Sequence, residues 1–183
     1  MRGDGFAETW DRYALVAKLG SRLGTDGSLG KKKLQKLVYI LQQLEGVSAG
    51  FRFRFFTYGP FSDDLAVSLD VAERMGGVRV DYDPGANAYQ ISGGSKAGSV
   101  IGNGQEFLQT HEEAINRVLE RFGDRTAMEL ELIATIVYLL EENGQMGSDE
   151  MIKRVIELKP KYDRQRVSRA IGELSKYGYL KLT

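Results

Sequence analysis

The residue types that carry most enzymatic chemistry are scarce in this chain. It has no cysteine, and His111 is its single histidine. The lack of cysteine excludes disulfides, thiol nucleophiles and Cys-ligated zinc, and one histidine removes almost every His-based triad, proton shuttle or metal site. His111 stands beside Glu112 and Glu113, a context that favours a surface residue of an acidic helix over a catalytic base. We therefore expect that the protein is not an enzyme and that it binds no cofactor and no metal.

Two other patterns that could bind phosphate or metal fail on their spacing. Residues 24–32 are rich in Gly and Lys, but a phosphate-binding loop needs Gly, four residues, then Gly-Lys-Ser/Thr after a strand. Here a predicted helix comes before the glycines, and the spacing does not match. Four carboxylates could chelate a hard cation, but on a helix they lack the loop spacing of a calcium site: Asp63, Asp64, Asp70 and Glu73.

The last predicted helix, which Asp163 should cap, has a polar face suited to DNA. Its apolar stripe contains Val167, Ala170, Ile171 and Leu174. The other sides of the helix carry the candidate nucleic-acid contacts: Gln165, Arg166, Arg169 and Lys176. Arg and Gln can form paired hydrogen bonds with base edges, and Lys and Arg can hold phosphates. An ordinary solvated helix is also rich in these residue types, so that alternative stays open.

A second basic surface is predicted near residues 31–57. A helix over 31–45 has an apolar stripe, and on the opposite side lie Lys32, Lys36, Tyr39 and Gln43. In the alternating strand that follows, Arg52 and Arg54 point away from the phenylalanines. Lys32, Lys36, Arg52 and Arg54 are therefore candidate phosphate contacts or part of a groove for a partner. The alternative is a solvated face on which Tyr39 packs, followed by an edge strand protected by charge.

The net charge of zero hides an uneven distribution along the 183 residues. Residues 1–50 carry eight Lys/Arg against five Asp/Glu, and residues 51–110 carry five against seven. Residues 111–150 carry three against ten, whereas residues 151–183 carry nine against three. A basic end of this kind can hold phosphates through its local field. The alternative is that the acidic and basic segments neutralise each other across an interface.

The elements that position these residues fall into two predicted units. The first, residues 1–92, has helices over 8–23 and 31–45, a strand over 51–57, a Gly59-Pro60 turn, a helix capped by Ser62, and a hairpin over 78–92. This order predicts a winged-helix-like domain, although the strand follows the second helix rather than the first. Residues 93–104 contain five glycines and predict a linker or loop.

The second unit, residues 105–183, is predicted to be helical. It opens with a helix over 105–122, and three shorter helices follow, starting near the Thr126–Glu129 capping box, near Ser148 and at Asp163. A strand over 179–182 would end the chain. The last three helices predict a helix-turn-helix-like unit. The fold class is thus α+β and mostly helical.

Several segments of the chain resemble a family of proteins. Residues 33–39 (Lys-Leu-Gln-Lys-Leu-Val-Tyr) and 53–65, which contain Tyr58-Gly59-Pro60-Phe61-Ser62, are similar to the YwgA-like family of small bacterial and archaeal proteins, as are residues 130–139, 159–162 and 170–174. Leu34-Gln35-Lys36-Leu37 with Gly59-Pro60 also resembles the more distant Panacea domain of bacterial antitoxins. The first resemblance implies no catalytic residues. The second implies a mostly helical protein that neutralises or recruits a partner protein.

Together these features predict a DNA-binding regulatory protein that acts as a symmetric homodimer, with half-sites about 34 Å apart. The alternative is a protein-interaction or adaptor module, antitoxin-like, with an exposed apolar patch around Phe56, Tyr58 and Phe61. The longest apolar run, residues 132–140, is too short for a bilayer span and contains Thr135. The first residues lack the apolar core of a secretory signal. We expect a cytoplasmic protein without membrane contact.

Overall fold

The computed structural model describes residues 4–25, 27–144 and 146–180, and it is mostly helical with two small antiparallel sheets. In chain order the elements are α1 (Asp4–Leu23), α2 (Lys31–Glu45), β1 (Arg54–Phe56), β2 (Gly59–Phe61), α3 (Asp63–Arg74), β3 (Val78–Asp83), β4 (Ala88–Gly93), α4 (Ala97–Asn103), α5 (Gln105–Thr110), α6 (Glu112–Phe122), α7 (Ala127–Asn143), α8 (Ser148–Leu158) and α9 (Arg164–Lys176). The predicted mostly helical α+β class is confirmed. None of the described helices is both long and apolar enough to cross a membrane.

The predicted strand over residues 51–57 is wrong in its extent. The chain forms a short hairpin in which Arg54 pairs with Phe61 and Phe56 pairs with Gly59. The turn consists of Thr57 and Tyr58, so Gly59 and Pro60 lie in β2 rather than in a turn. Gly59 has a φ of +79°, which a glycine adopts without steric cost and which lets the chain reverse within two residues. The second hairpin, β3–β4, forms as predicted.

The glycine-rich segment 93–104 is not a loop throughout, because most of it forms α4. This helix packs against α1 and buries Val100. Gly104, which follows α4, lies so close to α1 that an added Cβ would stand 2.5 Å from the Cβ of Ala14. At this position glycine permits a close approach between helices rather than chain flexibility.

The helix predicted over 105–122 is divided at His111. Its backbone leaves the helical region (φ −108°, ψ 11°) and separates α5 from α6. The helix predicted over 8–23 begins earlier, at Asp4, and α2 has the predicted bounds. The end of the strand predicted over 179–182 lies outside the described residues, and Tyr179 and Leu180 are not in a strand.

The helix caps predicted from the sequence are confirmed. The Ser62 hydroxyl accepts a hydrogen bond from the Leu65 amide (3.2 Å) at the start of α3, and the Asp163 carboxylate accepts one from the Arg166 amide (2.8 Å) at the start of α9. Thr126 and Glu129 form both bonds of a capping box before α7. These local bonds fix where three helices begin.

The buried side chains form one hydrophobic cluster that draws on both predicted units. Helix α2 crosses the middle of the molecule and packs against α6 and α7, while α1 packs against α3, α4 and β4. At the far end, α7, α8 and α9 pack on one another as the predicted three-helix unit. The division of the chain into separately folding units stays a prediction.

The close packing of α1 on β4 yields a test of the fold. We expect Gly24→Ala to lower the free energy of unfolding by about 1–3 kcal/mol, because its Cβ would stand 2.4 Å from the Ile91 carbonyl oxygen and 2.5 Å from Ser92 Cα. Gly102→Ala in α4 meets open space, and we expect it to stabilise the protein by roughly 0.5–1 kcal/mol. Urea denaturation measures both. Equal stability of the two variants would contradict this packing.

Candidate functional site

The Leu34-Gln35-Lys36-Leu37 motif forms buried hydrogen bonds between α2 and residues 60–62 of the hairpin end. We call this set of bonds the joint between α2 and the hairpin. Gln35 donates from Nε2 to the Ser62 carbonyl (2.9 Å) and accepts from the Ser62 amide at Oε1 (2.8 Å). One residue further, the Lys36 ammonium donates to the Pro60 carbonyl (2.5 Å). All three bonds are buried. Their backbone partners at Pro60 and Ser62 have no neighbouring strand on the side that faces α2, and the α2 side chains bind them instead. The motif residues thus hold the hairpin on α2.

The predicted exposed side of α2 is wrong at Lys36, whereas Tyr39 packs on a neighbouring element, as the alternative anticipated. Lys36 is 2% exposed and Tyr39 is 1% exposed. Tyr39 donates to the Glu141 carboxylate (2.9 Å), and its ring packs edge-on against Phe53. The cause is that α2 is enclosed by the hairpin and α7 as well as by the core on its apolar side. A buried Lys36 cannot contact a phosphate, so it is removed from the candidate contacts.

A partly buried ionic cluster, which we call the Glu131 cluster, extends this joint to the C-terminal helices. It consists of Glu131 on α7 with Lys159 and Lys161 from the α8–α9 connection. The Lys161 ammonium lies 2.9 Å from Glu131 Oε2. The Lys159 ammonium lies 3.2 Å from Oε1, without hydrogen-bond alignment, and also donates to the Thr57 carbonyl at the hairpin turn. Glu131 and Lys159 are 5% and 6% exposed.

Sequence reasoning did not assign a role to the Glu131 cluster, although one signal was present. Glu131 stands between Leu130 and Leu132 near the start of the most apolar helix, where a charge that becomes buried needs an opposite charge or hydrogen bonds. The identity of its partners carried no local signal, because Lys159 lies 28 positions further along the chain. Only the fold brings the two together.

Burial next to this cluster changes the proton affinity of Lys36. Loss of hydration lowers the Lys36 pKa to about 8, an effect that the Glu131 carboxylate opposes and that the nearby charges of Lys159 and Lys32 reinforce. The desolvation of the ammonium therefore outweighs the attraction of the carboxylate. Near neutral pH, Lys36 is still mostly protonated.

The lowered pKa of Lys36 predicts a specific pH dependence of stability. Between a folded pKa of about 8 and the ordinary value of 10.5, the unfolded chain binds more protons, so stability rises with pH. Between about pH 7 and about pH 9.5, we expect the free energy of unfolding of the wild type to gain about 1–2 kcal/mol relative to Lys36→Met. Urea titrations at both pH values measure this. Lys153→Met, at an exposed lysine, is the control and should show no such difference.

The Glu131 cluster predicts a large cost when its only carboxylate is neutralised. We expect Glu131→Gln to lower the free energy of unfolding by roughly 3–5 kcal/mol, because Lys159 would remain buried without an opposite charge. Glu120→Gln, on the exposed side of α6, is the matched control and should change stability by less than about 0.5 kcal/mol. Similar values for the two variants, measured by urea denaturation, would refute the ionic role of Glu131.

An open apolar groove lies between α2, the β1–β2 hairpin and α3, and we call it the hairpin groove. Its volume is about 580 Å³, and its apolar lining includes Leu34, Phe56, Tyr58, Phe61, Leu65, Ala66 and Leu69. Phe56 and Tyr58 are 46% and 54% exposed. Phe56 packs edge-on against Phe61, with ring centres 6.0 Å apart. The structure thus brings together the three aromatic residues expected of an interaction patch.

Of the predicted contacts Lys32, Arg52 and Arg54, Lys32 lines this groove, and the two arginines are neutralised by carboxylates. Arg52 forms a paired bond with Asp64 (2.9 and 3.0 Å), which lowers the pKa of that carboxyl, and Arg54 bonds Asp63. Both carboxylates belong to the first turn of α3. Lys32 instead places its ammonium 4.0 Å from the centre of the Tyr58 ring. This surface is therefore aromatic with local charge rather than broadly basic.

The four predicted contacts on α9 are all exposed and share one helix. Arg166 lies 3.7 Å from Asp163, whereas no carboxylate of the described residues lies within 4.0 Å of Arg169 or Lys176. Beside them, a depression of about 500 Å³ separates α9 from the start of α7 and is lined by Arg125, Met128, Glu129, Tyr162 and Glu173, among others. The α9 face can thus offer Gln165, Arg166, Arg169 and Lys176 to a ligand.

Neither a metal site nor a known family accounts for these surfaces. Within residues 4–25, 27–144 and 146–180, no three His, Cys, Asp or Glu residues are grouped so that they could hold a metal ion. No protein-family model and no curated protein matches the chain. The resemblance to the YwgA-like and Panacea families stays a prediction.

Proposed function

We propose that this chain is a non-enzymatic DNA-binding regulatory protein in which α9 enters the major groove. The observation that carries this proposal is the exposed face of α9, where Gln165, Arg169 and Lys176 lie on the solvent side of a three-helix unit. These residue types can read base edges and hold phosphates. The excess of Lys and Arg over residues 151–183 favours the approach of DNA to this end.

The way α9 is held supports a role in recognition. Its first turn is capped by Asp163, and Arg164 bonds Asp149 at the start of α8. The connection before it is anchored by Lys159 and Lys161 on Glu131. A helix fixed at its start presents its side chains in a defined geometry, which lowers the entropic cost of binding.

The proposal includes a symmetric homodimer in the cytoplasm. A single helix-turn-helix unit contacts few base pairs, and two copies related by a two-fold axis read half-sites about 34 Å apart. Light scattering of the free protein measures the oligomeric state.

Removal of two α9 cations should weaken binding and its salt dependence. We expect Arg169→Ala plus Lys176→Ala to lower affinity for a mixed-sequence duplex and to reduce the slope of log affinity against log salt by about 2, because each cation that neutralises a phosphate contributes about 1 to that slope. Fluorescence anisotropy across a salt series measures both quantities. Arg74→Ala plus Lys96→Ala, which removes two exposed cations from another part of the molecule, is the matched control.

The two double variants separate a specific surface from a general charge effect. An unchanged slope in the α9 variant, or an equal drop in the control, would remove α9 as the DNA contact. Negligible binding of the wild-type protein at low salt would remove the DNA-binding function itself.

A second candidate function is a protein-interaction or adaptor module, antitoxin-like, that uses the hairpin groove. The observation that favours it is the exposure of Phe56 and Tyr58 at the rim of an apolar cavity. Exposed aromatic side chains that border a pocket are typical of protein interfaces, where they supply much of the binding energy. In this function the three-helix unit is a means of packing helices and does not contact DNA.

A further inference from the structure

Two exposed aromatic side chains line the hairpin groove. They are Phe56 and Tyr58, two of the seven large hydrophobic side chains that are exposed in the described part of the chain. Below them, the buried side chains of Leu34, Leu65 and Leu69 complete an apolar floor. Such a surface gains free energy when a partner covers it.

The walls of the groove determine the shape of the occupant. Beside the hairpin, α2 and α3 form two walls, and the face of α3 toward the groove contains Asp63, Ala66 and Asp70 at helical spacing. Side chains on two neighbouring helices form ridges between which the side chains of a third helix can pack. A partner helix of this type inserts apolar residues at i, i+3 or i+4, and i+7.

The charges on the two walls differ in sign. Lys31 and Lys32 line the α2 side, and no carboxylate of the described residues lies within 4.0 Å of either ammonium. Their ammonium groups stand over aromatic rings instead, Lys31 at 4.3 Å from Tyr89 and Lys32 at 4.0 Å from Tyr58. Asp70 lines the α3 side, together with Asp63, whose charge is offset by Arg54. An acidic residue of a partner would therefore be attracted to one edge of the groove and repelled from the other.

We propose that the hairpin groove binds an amphipathic helix of a partner protein, with acidic residues along the edge that faces Lys31 and Lys32. This inference rests on the second candidate function, the protein-interaction module, and is independent of DNA binding by α9. The apolar lining and the carboxylate of Asp70 disfavour a nucleic-acid strand, because the carboxylate would repel its phosphates. The groove thus selects both the fold and the charge pattern of its occupant.

A displayed library of randomised helical peptides tests this proposal with the full chain as target. Peptides are selected on the wild-type protein and counter-selected on Ala66→Arg, which places a long charged side chain in the groove, and on Tyr58→Ala. Tyr82→Ala, an exposed tyrosine of the β3–β4 hairpin, is the matched control and should retain the peptides. Circular dichroism and thermal unfolding verify that each variant is folded. We expect enriched peptides with apolar residues at helical spacing and Asp or Glu along one edge.

An exchange of charges then tests the orientation of the helix. For an enriched peptide, fluorescence polarisation should show at least about tenfold weaker binding to the Lys31→Glu plus Lys32→Glu variant than to the wild type. A peptide in which Lys replaces the acidic residues of the edge should bind this variant with restored affinity. Peptides that bind the groove but lack apolar residues at helical spacing or an acidic edge would overturn this inference. The protein-interaction function would then remain supported. Selection that yields no groove-dependent peptide would overturn both. Tighter binding of a single-stranded oligonucleotide at Tyr58 would also overturn the choice of a protein partner.

Discussion

The arrangement of this molecule depends on the buried bonds by which α2 holds the β1–β2 hairpin. The hairpin has only three residues in each strand and could not stay folded alone in water. Gln35 and Lys36 bind the carbonyls of Ser62 and Pro60, and Lys159 binds that of Thr57. The Pro60 carbonyl and the Ser62 amide depend on these buried bonds, because a buried polar group without a partner is costly. The hairpin is therefore positioned by side chains from helices and loops rather than by a larger sheet.

This joint connects the two candidate surfaces. The hairpin turn supplies Tyr58 to the groove, and the preceding residue, Thr57, accepts the bond from Lys159. Lys159 lies at the end of α8, five positions before α9 begins, and it pairs with Glu131 on α7. Lys159 thus links the hairpin turn to α7 and to the connection that leads into α9.

The uneven charge of the chain is partly resolved by pairing between its acidic and basic segments. Glu131 pairs with Lys159 and Lys161, and Asp149 pairs with Arg164. Such pairs offset part of the positive charge of residues 151–183. This agrees with the alternative that the acidic and basic segments neutralise each other. Arg169 and Lys176 have no carboxylate of the described residues within 4.0 Å, and they keep the basic character of α9. The local excess is therefore smaller than the count suggests, but it is concentrated on one helix.

The sequence alone determined the mostly helical class, the bounds of α2 and the caps at Ser62, Thr126 and Asp163, because each depends on residues within one or two helical turns. It also marked the exposed polar residues of α9. The tertiary structure decided that Lys36 is buried and that residues 97–103 form a helix. Periodicity shows which side of a helix is most apolar, but not how many neighbours enclose it. The long-range partners of Glu131 and Gln35 likewise exist only once the chain has packed.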